Sequence, residues 1–144
     1  MYINVSVLED IIVEPNVHDA LLLGLVMTTK NKLLLIMQAT DAAILYIALN
    51  DIECLHADDF RQGNIILDIS VFSGHDASAD DIAYVYGLDK SSPCDSKYLD
   101  KAVRDFFIRK KLFVQINPSY GCRLACICGG IELLQEWPSA IVGL

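Results

Sequence analysis

No Gly-x-Ser-x-Gly elbow, no glycine-rich phosphate loop and no His-Glu-x-x-His pair occurs in this sequence. Those arrangements expose a serine nucleophile, cradle a phosphate or hold zinc on one helix face. Without them the chain is expected to be non-enzymatic, and no motif implies a cofactor or a metal. No apolar run approaches the ~20 residues that cross a bilayer. The longest are LLLGLVM (21–27), LLLIM (33–37) and AAILYIAL (42–49). The opening residues, MYINVSVLED, alternate like a strand and carry no basic segment, so neither a secretory leader nor membrane association is expected. The five cysteines are an odd number without framework spacing. Together with the missing leader, this leads to the expectation of a reducing, cytoplasmic setting.

Positive charge is scarce. Eleven bases stand against nineteen acids, for a net charge of −8 and a pI near 4.6. Such a field repels nucleic acid and anionic membranes and favours cationic partners. The deficit is uneven. Residues 33–89 hold ten acids and the single base Arg61, whereas residues 90–123 hold eight bases and three acids. The chain is therefore an acidic body with one basic element.

What is present is apolar material, 53% of the residues, in a length that suits one domain spanning 1–144 with a substantial core. Most of it is patterned as strands. Residues 4–15 alternate and are expected to form an edge-type strand stopped by Pro15. The two apolar runs around Thr29-Lys30-Asn31-Lys32 predict a hairpin, since Asn31 tolerates left-handed geometry. Residues 43–60 predict two extended segments broken at Asn50-Asp51. Residues 64–72 alternate, with Ile65, Leu67, Ile69 and Val71 expected on one face and Ile66, Asp68, Ser70 and Phe72 on the other. Residues 82–88 fit a short strand or a single helical turn.

One helix is clearly signalled, over about 93–110. Ser92 is the expected N-cap, Pro93 the first helical residue, and Asp95 falls where a capping box places its acid. Tyr98, Leu99, Ala102, Val103, Phe106 and Phe107 form one stripe at the 3.6 period. Its last turn is expected to carry Arg109, Lys110 and Lys111 against the helix dipole. After it come a strand over 111–117, a turn at 118–121 and a return strand over 122–128. The tail is expected to pack through Trp137, Ile141, Val142 and Leu144. The fold class is thus α+β: a mostly antiparallel, curled sheet, half-barrel or sandwich, with one amphipathic helix packed on it.

Three cysteines crowd into the stretch GCRLACICGG (121–130). On a strand, Cys122, Leu124, Cys126 and Cys128 share a face, which looks like core because free cysteine packs as a small hydrophobe. Zinc wants four ligands in more familiar spacings. A reactive thiol wants a positive neighbour, and Arg123 points the other way.

The candidate binding residues are carboxylates in two turns, Asp58 and Asp59 in HADDFRQGN (56–64) and Asp76, Asp80 and Asp81 in SGHDASADD (73–81). Turns run over the surface, so these acids are expected to be exposed and free of internal cations, with the 75–81 loop carrying the contact. They point to a protein-binding module engaging a basic protein, in concrete form an immunity-type protein that neutralises a cationic toxin. Two other functions stay open. One is a homo-oligomeric structural subunit, given the apolar surplus. The other is a ligand-binding or catalytic barrel with a pocket lined by Tyr46, Tyr84, Tyr86 and the cysteines.

Overall fold

The computed structural model describes residues 2–73 and 76–138. In chain order the strands are β1 (Tyr2–Ile3), β2 (Ser6–Leu8), β3 (Ile11–Glu14), β4 (Leu21–Met27), β5 (Leu33–Gln38), β6 (Ile44–Asn50), β7 (Cys54–Asp58) and β8 (Asn64–Ser73). Two helices follow, α1 (Ala79–Tyr86) and α2 (Pro93–Ile108), and then β9 (Leu112–Tyr120), β10 (Arg123–Cys128) and β11 (Gly130–Leu134). The architecture is α+β with one large sheet, antiparallel except where β1 runs parallel to β11. Among the described residues no helix is long and apolar enough to cross a membrane.

The neighbour order is β1-β11-β6-β5-β4-β8-β9-β10-β7, with the β2–β3 hairpin attached to β8. Consecutive strands β6 and β7 thus stand six positions apart. Laid flat, six spacings would separate them by about 29 Å. The chain from Asn50 to Cys54 reaches only about 14 Å. The sheet therefore curls. β6 and β7 pair with β11 and β10 along one ladder, and the register slips by one residue where Asp51 (φ 52°) meets Gly129. A Cβ on Gly129 would approach the Asp51 side chain to 3.0 Å, so the two residues are tightly apposed at the slip.

The curl divides the apolar residues in two. The inner core gathers Leu35 and Met37 of β5, Ile47 and Leu49 of β6, Ile69 and Val71 of β8, and Val114 and Ile116 of β9. Cys122, Leu124, Cys126 and Cys128 complete it at 0–1% exposure, as their alternation predicts. The outer core lies under the helices: Phe72, Phe113, Ala125 and Ile127 on the sheet meet Ile82, Val85, Leu99 and Phe106. β9 and β10 are covered on both faces along most of their length, which is why LFV and LACIC read as continuous apolar runs.

Several expectations are corrected. The described residues form two helices, because Ser78 and Asp81 form a reciprocal capping box that starts α1 inside the supposed 73–81 loop, and Gly87 (φ 67°) ends it. Residues 4–15 are not one strand: Glu9 and Asp10 both take positive φ and fold β2 back on β3. The β8 faces are mixed. Slips in the β8–β9 register at Ile65–Asp68 turn Ile66 inward, to 1% exposure, and Leu67 outward, to 43%. β9 runs on through Pro118 to Tyr120, and the turn falls at Gly121 (φ 84°).

Helix α2 begins as its cap predicts, with Ser92 accepting from the Asp95 N–H, but the Asp95 carboxylate reaches the Asp89 N–H instead of closing the box. It ends at Ile108, so Arg109 is the cap and Lys110 and Lys111 lie beyond. Only Leu99, Ala102 and Phe106 of its stripe are fully buried; Tyr98 and Phe107 are each 53% exposed. Trp137 packs edge-on against Tyr46 at 5.6 Å, while the other tail residues named from the sequence, Ile141, Val142 and Leu144, lie outside the described residues.

Candidate functional site

The turn between β7 and β8 is built around Asn64, the one buried polar side chain among the described residues, at 2% exposure. Its oxygen accepts the Arg61 N–H at 2.8 Å and the Cys122 N–H at 3.0 Å; its amide donates to the Arg61 and Leu22 carbonyls. Four backbone groups from three segments are thereby satisfied by one amide. Asp59 (φ 59°) and Gly63 (φ 80°) supply the left-handed corners. The turn so held projects Asp58, Asp59, Phe60 and Arg61 outward.

Around it lies an uncovered part of the outer sheet face. Leu21, Ile65 and Tyr120 are register partners on β4, β8 and β9. Leu23, Phe60 and Tyr120 are each about half exposed, at 48%, 49% and 49%. Leu21–Leu23 and Phe60–Gly63 wall an open groove of about 460 Å3. The Arg61 guanidinium sits 6.0 Å from the Tyr120 ring centre and 2.7 Å from Asp59.

The five carboxylates named from the sequence have different circumstances. Asp59 is ion-paired with Arg61, and Asp80 with Lys90, so neither is free of internal cations as expected. Asp81 is half-buried and spends its carboxylate on the Ser78 N–H at 3.1 Å. Asp76 and Asp58 are exposed. Asp58 faces Arg123 in the ladder, yet the Arg123 guanidinium lies over the Tyr84 ring, 3.7 Å from its centre. No ion pair holds Asp58 among the described residues. His75 lies outside them.

Tyr84 also stacks on His56 at 4.4 Å, and the His56 ring nitrogen bonds the Tyr84 carbonyl at 2.6 Å. Cys54 donates to the Val85 carbonyl at 3.1 Å. Two β7 side chains thus satisfy carbonyls at the end of α1 and dock it on the sheet. Burial pushes the pKa of Tyr84 up.

A second cleft, of about 320 Å3, lies between α1, α2 and the β6–β7 bend. Arg109 is ion-paired with Glu53 and with Asp105, and Tyr86 donates to Glu53 at 3.4 Å. Burial first, and then the Glu53 charge, push the Tyr86 phenol up to about 12. Among the described residues the tyrosines expected to line one pocket with the cysteines, Tyr46, Tyr84 and Tyr86, lie in separate surroundings. Tyr46 stands against Trp137, Tyr84 against His56 and Arg123, and only Tyr86 lines this cleft.

The cysteines of the inner core are thiols shielded from water. Cys126 is pushed up by its hydrogen bond with Cys128 and by burial, and Cys122 chiefly by burial. Among the described residues no three His, Cys, Asp or Glu side chains gather as a metal site. No family model, curated protein sequence or solved structure matches the chain.

The apolar half of the turn site, Leu23, Phe60 and Tyr120, was missed by a reading that looked only for charge. One signal pointed to it: Phe60 is a large aromatic in an otherwise polar turn, where burial within the turn itself is unavailable.

Proposed function

We propose that this protein is a non-enzymatic binding module whose acidic face engages a basic protein partner, in the manner of a cytoplasmic immunity-type protein that blocks a cationic toxin. The observation that carries this reading is the placement of Asp58. It is an exposed carboxylate outside any ion pair among the described residues, and it adjoins the half-exposed Phe60. Interfaces of this kind combine aromatic anchors with charges that steer the partner in. The net charge of −8 supplies the long-range field. Asp59 and Asp80 are each ion-paired, and Asp58 and Asp76 are each exposed; the 58–63 turn is the better contact than the 75–81 segment because the half-exposed Phe60 stands in it.

The test is capture of partners from a lysate of the source cell on immobilised protein, eluted by a salt gradient. A basic protein released at moderate salt and lost when Asp58→Lys is the bait supports the reading. An identical captured set for wild type and Asp58→Lys removes it.

A further inference from the structure

The outer face of the sheet is only partly covered by the helices. Their cluster takes in Phe72, Phe113, Ala125 and Ile127, all towards the β8 end that leads into α1. At the opposite end of β8 and β9, the register partners Leu21, Ile65 and Tyr120 lie outside the cluster under the helices, with Leu21 and Ile65 half-buried and Tyr120 49% exposed. The groove between Leu23 and Phe60 opens there.

Acids lie next to the groove residues along the chain. Asp58 and Asp59 precede the wall residue Phe60, and Asp58 is exposed and outside any ion pair among the described residues. Asp19, two residues before the groove residue Leu21, is 59% exposed and lies 3.6 Å from the His18 ring nitrogen. Arg61 is the base within the groove lining and is ion-paired with Asp59. Resting on the binding reading above, we infer that this groove receives one large apolar side chain of the partner, flanked by a lysine or arginine that pairs with Asp58. The apolar walls take the side chain, while Asp58 selects the charge beside it. Phe60 and Tyr120 are of the residue type that dominates binding energy when a partner excludes water from them. Phe60 owes its position to the Asn64-anchored turn, so the wall is presented without first having to order the loop.

The probe is a set of three peptides added to the isotope-labelled full chain and followed by amide chemical shifts at low and high salt. They are Lys-Lys-Trp-Lys-Lys, Glu-Glu-Trp-Glu-Glu and Lys-Lys-Ala-Lys-Lys. The expected result is saturable shifts at 21–23 and 58–63 with the first peptide alone, weakening as salt rises. Phe60→Ala, an exposed position, should lower its affinity roughly tenfold while leaving the urea midpoint unchanged. Equal binding of Lys-Lys-Ala-Lys-Lys removes the groove but leaves the acidic-face reading standing. Equal binding of Glu-Glu-Trp-Glu-Glu overturns the charge selection. Shifts confined to other surfaces, or none with any peptide, overturn the inference. So does dimerisation of the chain that Phe60→Ala abolishes, since a second copy would then be the occupant.

Discussion

The Asn64 side-chain oxygen accepts the backbone N–H of Cys122 at 3.0 Å, tying the first residue of β8 to the entry of β10. The same side chain closes the turn that carries Phe60 and Arg61. Gly121 lies against it so closely that a Cβ there would sit 2.3 Å from the Asn64 oxygen. The core and the candidate site therefore share one polar anchor, and perturbing it should affect both.

Asn64→Leu should destabilise the protein by about 1–3 kcal/mol, the cost of leaving a buried N–H unsatisfied. Gly121→Ala should also destabilise it, through its positive φ and the clash with Asn64. Urea unfolding of the two variants reads this. A loss below about 0.5 kcal/mol for Asn64→Leu would mean that water replaces the lost bonds.

On α2, Phe106 is 5% exposed and meets Phe113 edge-on at 6.1 Å. Phe106→Ala should cost about 3–5 kcal/mol. Two residues on, Ile108 is 78% exposed, and Ile108→Ala should stay within about 0.5 kcal/mol. Paired unfolding curves test which face of the helix is buried; similar losses for the two would contradict the packing.

Of the five thiols, Cys94 alone is exposed. It should react rapidly with an aromatic disulfide reagent at neutral pH, and Cys94→Ser should abolish that phase. Cys54 is half-buried with its pKa raised chiefly by burial, so it should react slowly. Cys122, Cys126 and Cys128 should react only on unfolding. A rapid phase surviving in Cys94→Ser would place one of them within reach of solvent.

Tyr86 predicts an alkaline effect. Its phenol ionises at about 12 in the fold against 10.0 for the ordinary group. Below pH 10 both the folded and unfolded phenols hold the proton. Between 10 and 12 only the folded one does, so ionisation favours the unfolded chain and stability falls as pH rises through that window. Ultraviolet titration should show a late-ionising phenol that disappears in Tyr86→Phe, together with a shallower loss of stability above pH 10.

Much of the local structure was legible. Ser92-Pro93 and the 3.6-residue stripe located α2, Asn31 (φ 59°) turned the β4–β5 hairpin, and alternation put three cysteines on one buried face. Helix α1 was obscured because its capping box lies in a stretch of aspartates and serines that resembles a loop. The candidate site was half legible. Its carboxylates were visible as charge in turns, but nothing near Asp80 announced that Lys90 would take it, and nothing near Phe60 announced Leu23 or Tyr120 as neighbours.

Features that depend on residues within a turn or two of each other follow from the chain alone: caps, left-handed corners, and the period of an apolar face. These are set by backbone sterics and hydrogen bonds along the chain. The remaining features arise from contacts between distant segments. The slipped β8–β9 register exchanged Ile66 and Leu67 between core and surface, and the same ladder, by pairing Ile65 with Tyr120, brought Asn64 to Cys122 across 58 residues. Ladder register, ion pairing and the uncovered patch all depend on partners far away in sequence. Pairing energies between strands, not local propensity, select among the arrangements that the local signals allow.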